Sequence, residues 1–359
     1  MHGLNDALAH ALPAACGCVA IGTVISSIRS RRVKGPPSLF VALGVGCGVF
    51  RYINRRRRKK KSKLAAWVAS LVVFRLCSDQ HKYVLLSYAC VETMAQLYST
   101  STLARKTPPT VRWLLEQCAA MAITARLIHT NLVHPDWMLP VHLSMMDHQS
   151  SLSTTRLQAV RQNLQTSAVT RCTSLHPGRS CIAFAGATCI KLLGRSAQIF
   201  VPLHGLTLLY SLATTRHVSS VQCAAVGLCR SLAFMTSSYM LAYSTSCLLP
   251  QKNDLAMIKL TSLTPFLAQY LEPTSRRTSI IKAVACYSLV SVYIQLAAKH
   301  EWLSKQSKVA AVLFASCMTY VLQNPHRQSR WAMQCLYGDF LDQPDTTKAA
   351  VETAAAAMA

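Results

Sequence analysis

The chain has 359 residues, carries 38 Lys+Arg against 13 Asp+Glu for a formal charge of +25, and is 51% hydrophobic with only 14% charged residues. An ordinary soluble domain carries roughly 25% charged residues, so too little polar surface remains to solvate a globule of this size. The composition excludes intrinsic disorder, argues against a cytosolic enzyme and favours a protein sitting largely in lipid, where small residues let helix backbones approach closely.

The N-terminus, MHGLNDALAH, lacks a basic region ahead of its first apolar stretch, so it reads as an unprocessed start. Apolar stretches then recur at 7–28, 38–53, 64–76, 83–98 and 111–128, and in the second half at 197–213, 218–249, 255–271, 279–298 and 307–322. Several fall short of the roughly 20 residues that cross a bilayer. The stretch 218–249 is instead long, carries Arg230, and fits one tilted helix or a broken one. Helices are expected throughout, because lipid-exposed backbone must satisfy its own hydrogen bonds and no alternating barrel pattern is present. The expected fold is therefore all-α, a multi-pass transmembrane helix bundle of two related halves joined by a polar linker. Residues 1–130 form the first half and 131–171 the linker. Residues 172–340 hold a cysteine-rich turn, an interfacial helix and the second bundle, and 341–359 are an Ala-rich tail. A faint internal repeat supports two related halves: RRRRKKKSKLAAWVASLVVFRL and SRRTSIIKAVACYSLVSVYIQL both set a basic cluster before an apolar helix.

Two basic blocks follow the first two apolar stretches: Arg29, Arg31, Arg32 and Lys34, then Arg55, Arg56, Arg57, Arg58, Lys59, Lys60 and Lys61 with Lys63. Beside an anionic leaflet each charge gains roughly 1 kcal/mol, so the second block is read as a site for acidic lipid headgroups. It serves equally as a topogenic signal, and the two readings are compatible. The block lacks interleaved aromatics, and no nucleic-acid partner is expected. If both flanking stretches cross the membrane fully, the two basic loops lie on opposite sides, against the simple charge rule. Between the blocks, Gly44 and Gly48 share one helix face and are assigned to close helix packing.

Most of the fifteen cysteines sit inside apolar runs and read as small hydrophobes. The run Cys172-Thr-Ser-Leu-His176-Pro177-Gly-Arg-Ser-Cys181 stands apart. Two thiols and an imidazole suit Zn²⁺, but a structural site takes four ligands and no fourth is nearby in sequence. A Cys172–Cys181 disulfide is open to it, as is a compact turn in which His176-Pro177 breaks the chain before a helix starting near Ile182. Turn or disulfide is the reading adopted, with no metal or cofactor assigned. In the helix that follows, Lys191 and Arg195 oppose Phe184 and Leu192, as in a helix lying on the membrane surface before the chain dives at Ile199. Ionisable groups within apolar stretches are Arg75, Glu92, Glu116, Arg126 and Arg230, with Glu92 in mid-span read as half of a buried ion pair or as a proton or ion relay. No Ser-His-Asp order, paired carboxylates or His-Glu-x-x-His is present, so no enzyme is expected.

The runs CTSLHPGRSC and IKLLGRSAQIFVPLHGLTLLYS resemble the cysteine-rich N-terminal region of the transmembrane protein 135 family, and LTPFLAQYLEPTSRRTSIIKAVACYSLVSVYIQL resembles that family's next two helices. That resemblance includes a Cys…His-Pro…Cys turn, a span with a central proline (Pro202) and a Ser-Arg-Arg turn at Ser275 to Arg277. LFVALGVGCGVFRYI, KLAAWVASLVVF and YVLLSYACVETMAQLY resemble the other half of that family, which is similar to the mitochondrial inner-membrane translocase (Tim) superfamily. The likeness covers residues 37–130 and 170–325, with the two halves in reversed order. It implies a multi-pass, non-enzymatic organellar protein. The function expected is an accessory or structural subunit of a mitochondrial inner-membrane, respiratory-chain complex, with cardiolipin and other membrane subunits as partners. The alternatives are a protein or solute translocation component and a lipid-handling protein of peroxisomal or mitochondrial membranes.

Overall fold

A computed structural model describes residues 2–30, 36–56, 62–166, 170–215, 219–250, 255–300 and 307–324. Among them the chain is helical, without a strand. It divides into two compact units, residues Met1–Thr102 with Lys305–Ala359, and residues Leu103–Ser304. The division expected near residue 130 thus falls about thirty residues earlier, and the C-terminal apolar helix belongs with the N-terminal ones.

The first unit contains α1 (His2–Ser30), α2 (Ser38–Arg56), α3 (Lys63–Leu76), α4 (Asp79–Thr100) and, from the far end of the chain, α14 (Ser307–Gln323). Successive helices α1, α2 and α3 pack in chain order, and α14 lies against α3 and α4. The N-terminus of α3 is set by Ser62. Its hydroxyl accepts from the Ala65 N–H at 3.2 Å, satisfying an otherwise orphaned donor, while its own N–H donates to Asn54 Oδ1 at 3.2 Å. The core here is built from Phe50, Ala65, Ala66, Ala69 and Leu322, with Phe74 against Phe314 at 5.2 Å between ring centres. Thr93 Oγ1 donates to the Cys317 carbonyl at 3.2 Å and ties α4 to α14.

The second unit begins within α5 (Thr102–Lys106) and continues with α6 (Pro109–Val133), a 3₁₀ turn (Pro135–Trp137), α7 (Pro140–Gln149), α8 (Thr154–Thr166) and α9 (Arg171–Leu175). It continues with α10 (Cys181–Thr215), α11 (Ser219–Leu248), α12 (Leu255–Leu263), a 3₁₀ segment (Thr264–Leu271) and α13 (Thr274–Lys299). The long helices α10 and α11 form a hairpin, the 3₁₀ segment packs on α11, and α6 lies against α12 and α13.

Four expectations are corrected here. The segment 131–171 is folded: Arg161 grips Asp147 through both carboxylate oxygens at 2.6 and 3.0 Å, and Arg161 Nε donates to the Asn131 carbonyl at 3.1 Å. With Leu152, Leu157 and Val160 buried beside Leu175 and Phe184, it is part of the core. The interfacial helix and the span after it are one helix, α10, passing through Pro202. Lys191 on it is exposed while Phe184 and Leu192 are buried, as the amphipathic pattern required. The stretch 255–271 is not one span, because Pro265 removes a backbone donor and the chain tightens into 3₁₀ from Thr264. Finally, of the ten apolar stretches, only Thr274–Lys299 forms a helix long and apolar enough to cross a membrane among the described residues; 11–23 and 308–323 are shorter apolar helices.

Candidate functional site

The cysteine-rich run occupies the junction of three helices. Cys172 lies in the first turn of α9, whose N-terminus is capped by the Thr170 hydroxyl; His176 closes α9, and Cys181 opens α10. Between them the chain reverses through Pro177 and Gly178. Gly178 has φ +69°, a conformation that a residue with a Cβ adopts at a cost, and the Arg179 N–H donates to the His176 carbonyl at 3.1 Å to close the turn. The fourth member of the cluster is Cys247, at the end of α11 and 75 residues beyond Cys172. The α10–α11 hairpin brings it there, since a helix that leaves from Cys181 and one that returns to Leu248 put their outer ends side by side.

The side chains converge closely. Sγ of Cys172, Cys181 and Cys247 and the His176 imidazole place one ligand atom each within 4.8 Å of one another. Cys172 Sγ is 3.9 Å from Cys181 Sγ, too far for a bond between them, and His176 Nε2 is 3.4 Å from Cys247 Sγ. His176 Nδ1 is 2.9 Å from the Arg179 carbonyl oxygen. A carbonyl only accepts, so Nδ1 carries the proton and Nε2 presents its lone pair to the sulfurs. The ring also stacks near Phe184, centres 4.9 Å apart. Burial raises the Cys172 thiol above its ordinary pKa, against the opposing pull of the neighbouring Arg171 charge. Beside the cluster the buried Arg171 guanidinium donates to the carbonyls of Ser246, Leu249 and Pro250, clamping the chain on both sides of Cys247.

A chamber of about 420 Å³ lies within the same unit, lined mostly by apolar side chains that include Leu157, Val160, Phe200, Phe234 and Ile280, with His142, Arg171, Tyr239 and Tyr243 among its polar groups. Tyr243 Oη donates to the Ser150 carbonyl at 2.5 Å and Tyr239 Oη to that of Met146 at 3.3 Å, which holds both rings against α7. The first unit has an apolar chamber of its own, about 670 Å³, between α1, α2, α3 and α14.

Elsewhere the residues singled out from sequence are spread through the fold. Gly44 and Gly48 face α1: a Cβ on Gly44 would sit 2.7 Å from the Ala15 carbonyl oxygen, and one on Gly48 3.4 Å from the Ala15 Cβ. Arg55 and Arg56 end α2, and Arg57, Arg58, Lys59, Lys60 and Lys61 lie outside the described residues. Glu92 is buried and accepts from Gln96 Nε2 at 3.4 Å. Arg126 donates to Gln295 and lies over the Trp137 ring at 5.5 Å, while Arg112 and Glu116 pair at 3.3 Å on an exposed helix face. Neither Glu92 nor Arg126 lines either chamber. Sequence patterning missed Cys247, which looked like one more thiol in an apolar run. The signal for it was topological: two consecutive long apolar helices pair antiparallel, so the start of one meets the end of the next. It also missed Glu272, whose carboxylate is buried against Ser231 and Arg276.

No protein-family model, curated protein or solved structure matches this chain.

Proposed function

We propose that this chain is a non-catalytic integral membrane protein, an accessory structural subunit of an organellar assembly, with a mitochondrial inner-membrane respiratory complex as the first assignment. The observation that carries the membrane reading is α13. It is long and apolar enough to cross a bilayer, yet only 17% of its apolar window is buried by the rest of the chain. A helix that is apolar all round in a water-soluble protein is covered by its neighbours. One left mostly half-exposed gains from acyl chains or a partner's helices around it. The long helix α10 adds to this, with Ile182, Ile190, Leu206 and Leu209 between 66% and 87% exposed. A multi-pass arrangement then requires some shorter apolar helices to cross with flanking cations snorkelling to the headgroups.

The subunit reading is supported by the lack of any catalytic constellation in the sequence and by helix contacts tight enough to require glycine. The basic block 55–61 suits the two phosphates of cardiolipin, and the organelle is suggested by the family resemblance. The test is alkaline carbonate extraction of isolated mitochondria followed by native electrophoresis in mild detergent. The expected result is a protein retained in the membrane pellet that co-migrates with a larger complex. Release into the carbonate supernatant would end the membrane reading, and migration as a lone chain would end the subunit reading.

A second reading, lipid handling, is favoured by the 420 Å³ apolar chamber of the second unit, a volume within the range of small-molecule cavities. Native mass spectrometry of the detergent-purified protein separates the two, since lipid handling requires a lipid retained in amounts near one per chain.

A further inference from the structure

We propose that Cys172, His176, Cys181 and Cys247 form a structural zinc site. Four donor atoms of the right kind come within 4.8 Å of one another, from three separate helices. In a tetrahedral site with Zn–S near 2.3 Å and Zn–N near 2.0–2.1 Å, sulfurs stand roughly 3.8 Å apart and sulfur and nitrogen roughly 3.5 Å apart. The cluster shows 3.9 Å between Cys172 and Cys181 sulfurs and 3.4 Å between His176 Nε2 and the Cys247 sulfur. Two pairs therefore stand at the spacing of ligands around a common centre, not at that of bonded sulfurs, and the remaining donors lie within 4.8 Å.

The surroundings fit a metal as well. A ligating histidine characteristically donates its other ring N–H to a fixed acceptor, which sets the tautomer and aims the lone pair. His176 does this through Nδ1 to the Arg179 carbonyl, in a turn that depends on the left-handed Gly178. Cys181 is the first residue of α10, whose N-terminal partial positive charge offsets part of the negative charge a zinc–thiolate group carries. Binding displaces three thiol protons and changes no oxidation state: Zn²⁺ with three thiolates and a neutral imidazole carries one net negative charge. The buried Arg171, bonded to backbone on both sides of Cys247, supplies a positive charge at that position.

A disulfide uses these residues less completely. Joining Cys172 to Cys181 uses two of the four donors and leaves His176 and Cys247 facing the bridge as a thiol–imidazole pair. Three thiols and one imidazole are a soft donor set that suits zinc, and four protein ligands leave no open position for substrate. The site therefore holds structure together. It staples the five-residue α9, too short to persist as a helix by itself, to the open ends of the α10–α11 hairpin.

The full chain, purified in mild detergent under reducing conditions without chelator, is analysed for metals by plasma mass spectrometry. The expected content is about one zinc per chain, falling at least tenfold in Cys247→Ser and His176→Gln and staying unchanged in Cys189→Ser, a control on α10 outside the cluster. Because a ligand variant can simply fail to fold, the wild-type protein is also alkylated with and without prior treatment by a strong zinc chelator, and the modified peptides are mapped. Joint protection of Cys172, Cys181 and Cys247, lost on chelation, is the expected pattern. Zinc content below a tenth per chain, iron or copper in place of zinc, a Cys172–Cys181 bridge in the non-reduced peptide map, or labelling of these three thiols that ignores the chelator would each overturn the site.

Discussion

Glu272 and His142 show what single buried polar groups do in this fold. The Glu272 residue is 3% exposed; its carboxylate accepts from Ser231 Oγ at 3.0 Å and Arg276 Nη1 at 3.4 Å, and Arg277 Nε donates to its carbonyl at 2.7 Å. Ser231 in turn meets His204 Nε2 at 3.2 Å, so α10, α11 and the start of α13 share one polar knot. Replacing the carboxylate by a methyl group takes this acceptor from the buried Ser231 hydroxyl, a loss of about 1–3 kcal/mol. Glu272→Ala is therefore expected to lower the unfolding temperature of the detergent-solubilised protein, with Glu272→Gln intermediate; an unchanged temperature in both would show the knot to be idle. His142 is buried on α7 with its ring 4.4 Å from that of Tyr287, and burial holds its imidazole below the ordinary value. The folded state thus prefers the neutral ring. Its contribution to stability is fully present above about pH 6.5 and lost as the pH falls through the lowered value. Between pH 7.5 and 5.5 the wild type should lose more thermal stability than His142→Phe, and parallel losses would remove His142 from the account.

At the scale of elements, the glycines of α2 separate two kinds of close approach. A Cβ at Gly44 meets a backbone oxygen of α1 at 2.7 Å, which no side-chain rotation relieves, whereas at Gly48 it meets Ala15 Cβ at 3.4 Å, an ordinary contact. Gly44→Ala is expected to force α1 off α2, with a destabilisation of about 1–3 kcal/mol typical of overpacking. Gly48→Ala should be neutral or stabilising, because alanine is favoured over glycine in a helix by about 1 kcal/mol. Hydrogen–deuterium exchange of the α1 and α2 amides reads both, and equal effects would contradict the geometry. Sequence periodicity placed both glycines on one face but could not rank them, since the distance to α1 is a tertiary quantity. The repeated basic-then-apolar pattern shows the same limit: it heads helices of 14 residues in α3 and 26 in α13.

The first unit is built from both ends of the described chain. The second unit is one continuous segment, but the first needs α14, whose Phe314, Ala315 and Leu322 are buried against helices from the N-terminal hundred residues. Removing residues 305–359 should expose Phe50, Ala66 and Phe74 and speed amide exchange in α3 and α4, while α6 and α11 stay protected. Equal protection of α3 and α4 in the truncated and full chains would show that α14 is dispensable. The zinc site belongs wholly to the continuous unit, so its metal content should survive this truncation.

Helix throughout, the shared glycine face of α2, the amphipathic face of α10, and the turn at His176-Pro177-Gly178 were legible in residue order, because each depends on neighbours within a few positions: periodicity, proline's missing donor, glycine's freedom at positive φ. That only Thr274–Lys299, among the described residues, is long and apolar enough to span a bilayer was legible in part: several stretches are short by residue count, but the break of 255–271 at Pro265 appears only in the folded chain. The return of α14 to the first unit and the arrival of Cys247 beside Cys172, His176 and Cys181 were decided by the tertiary structure alone. Contacts spanning 75 or 224 residues carry no local periodicity, and only the chain's path in space brings their atoms within bonding distance.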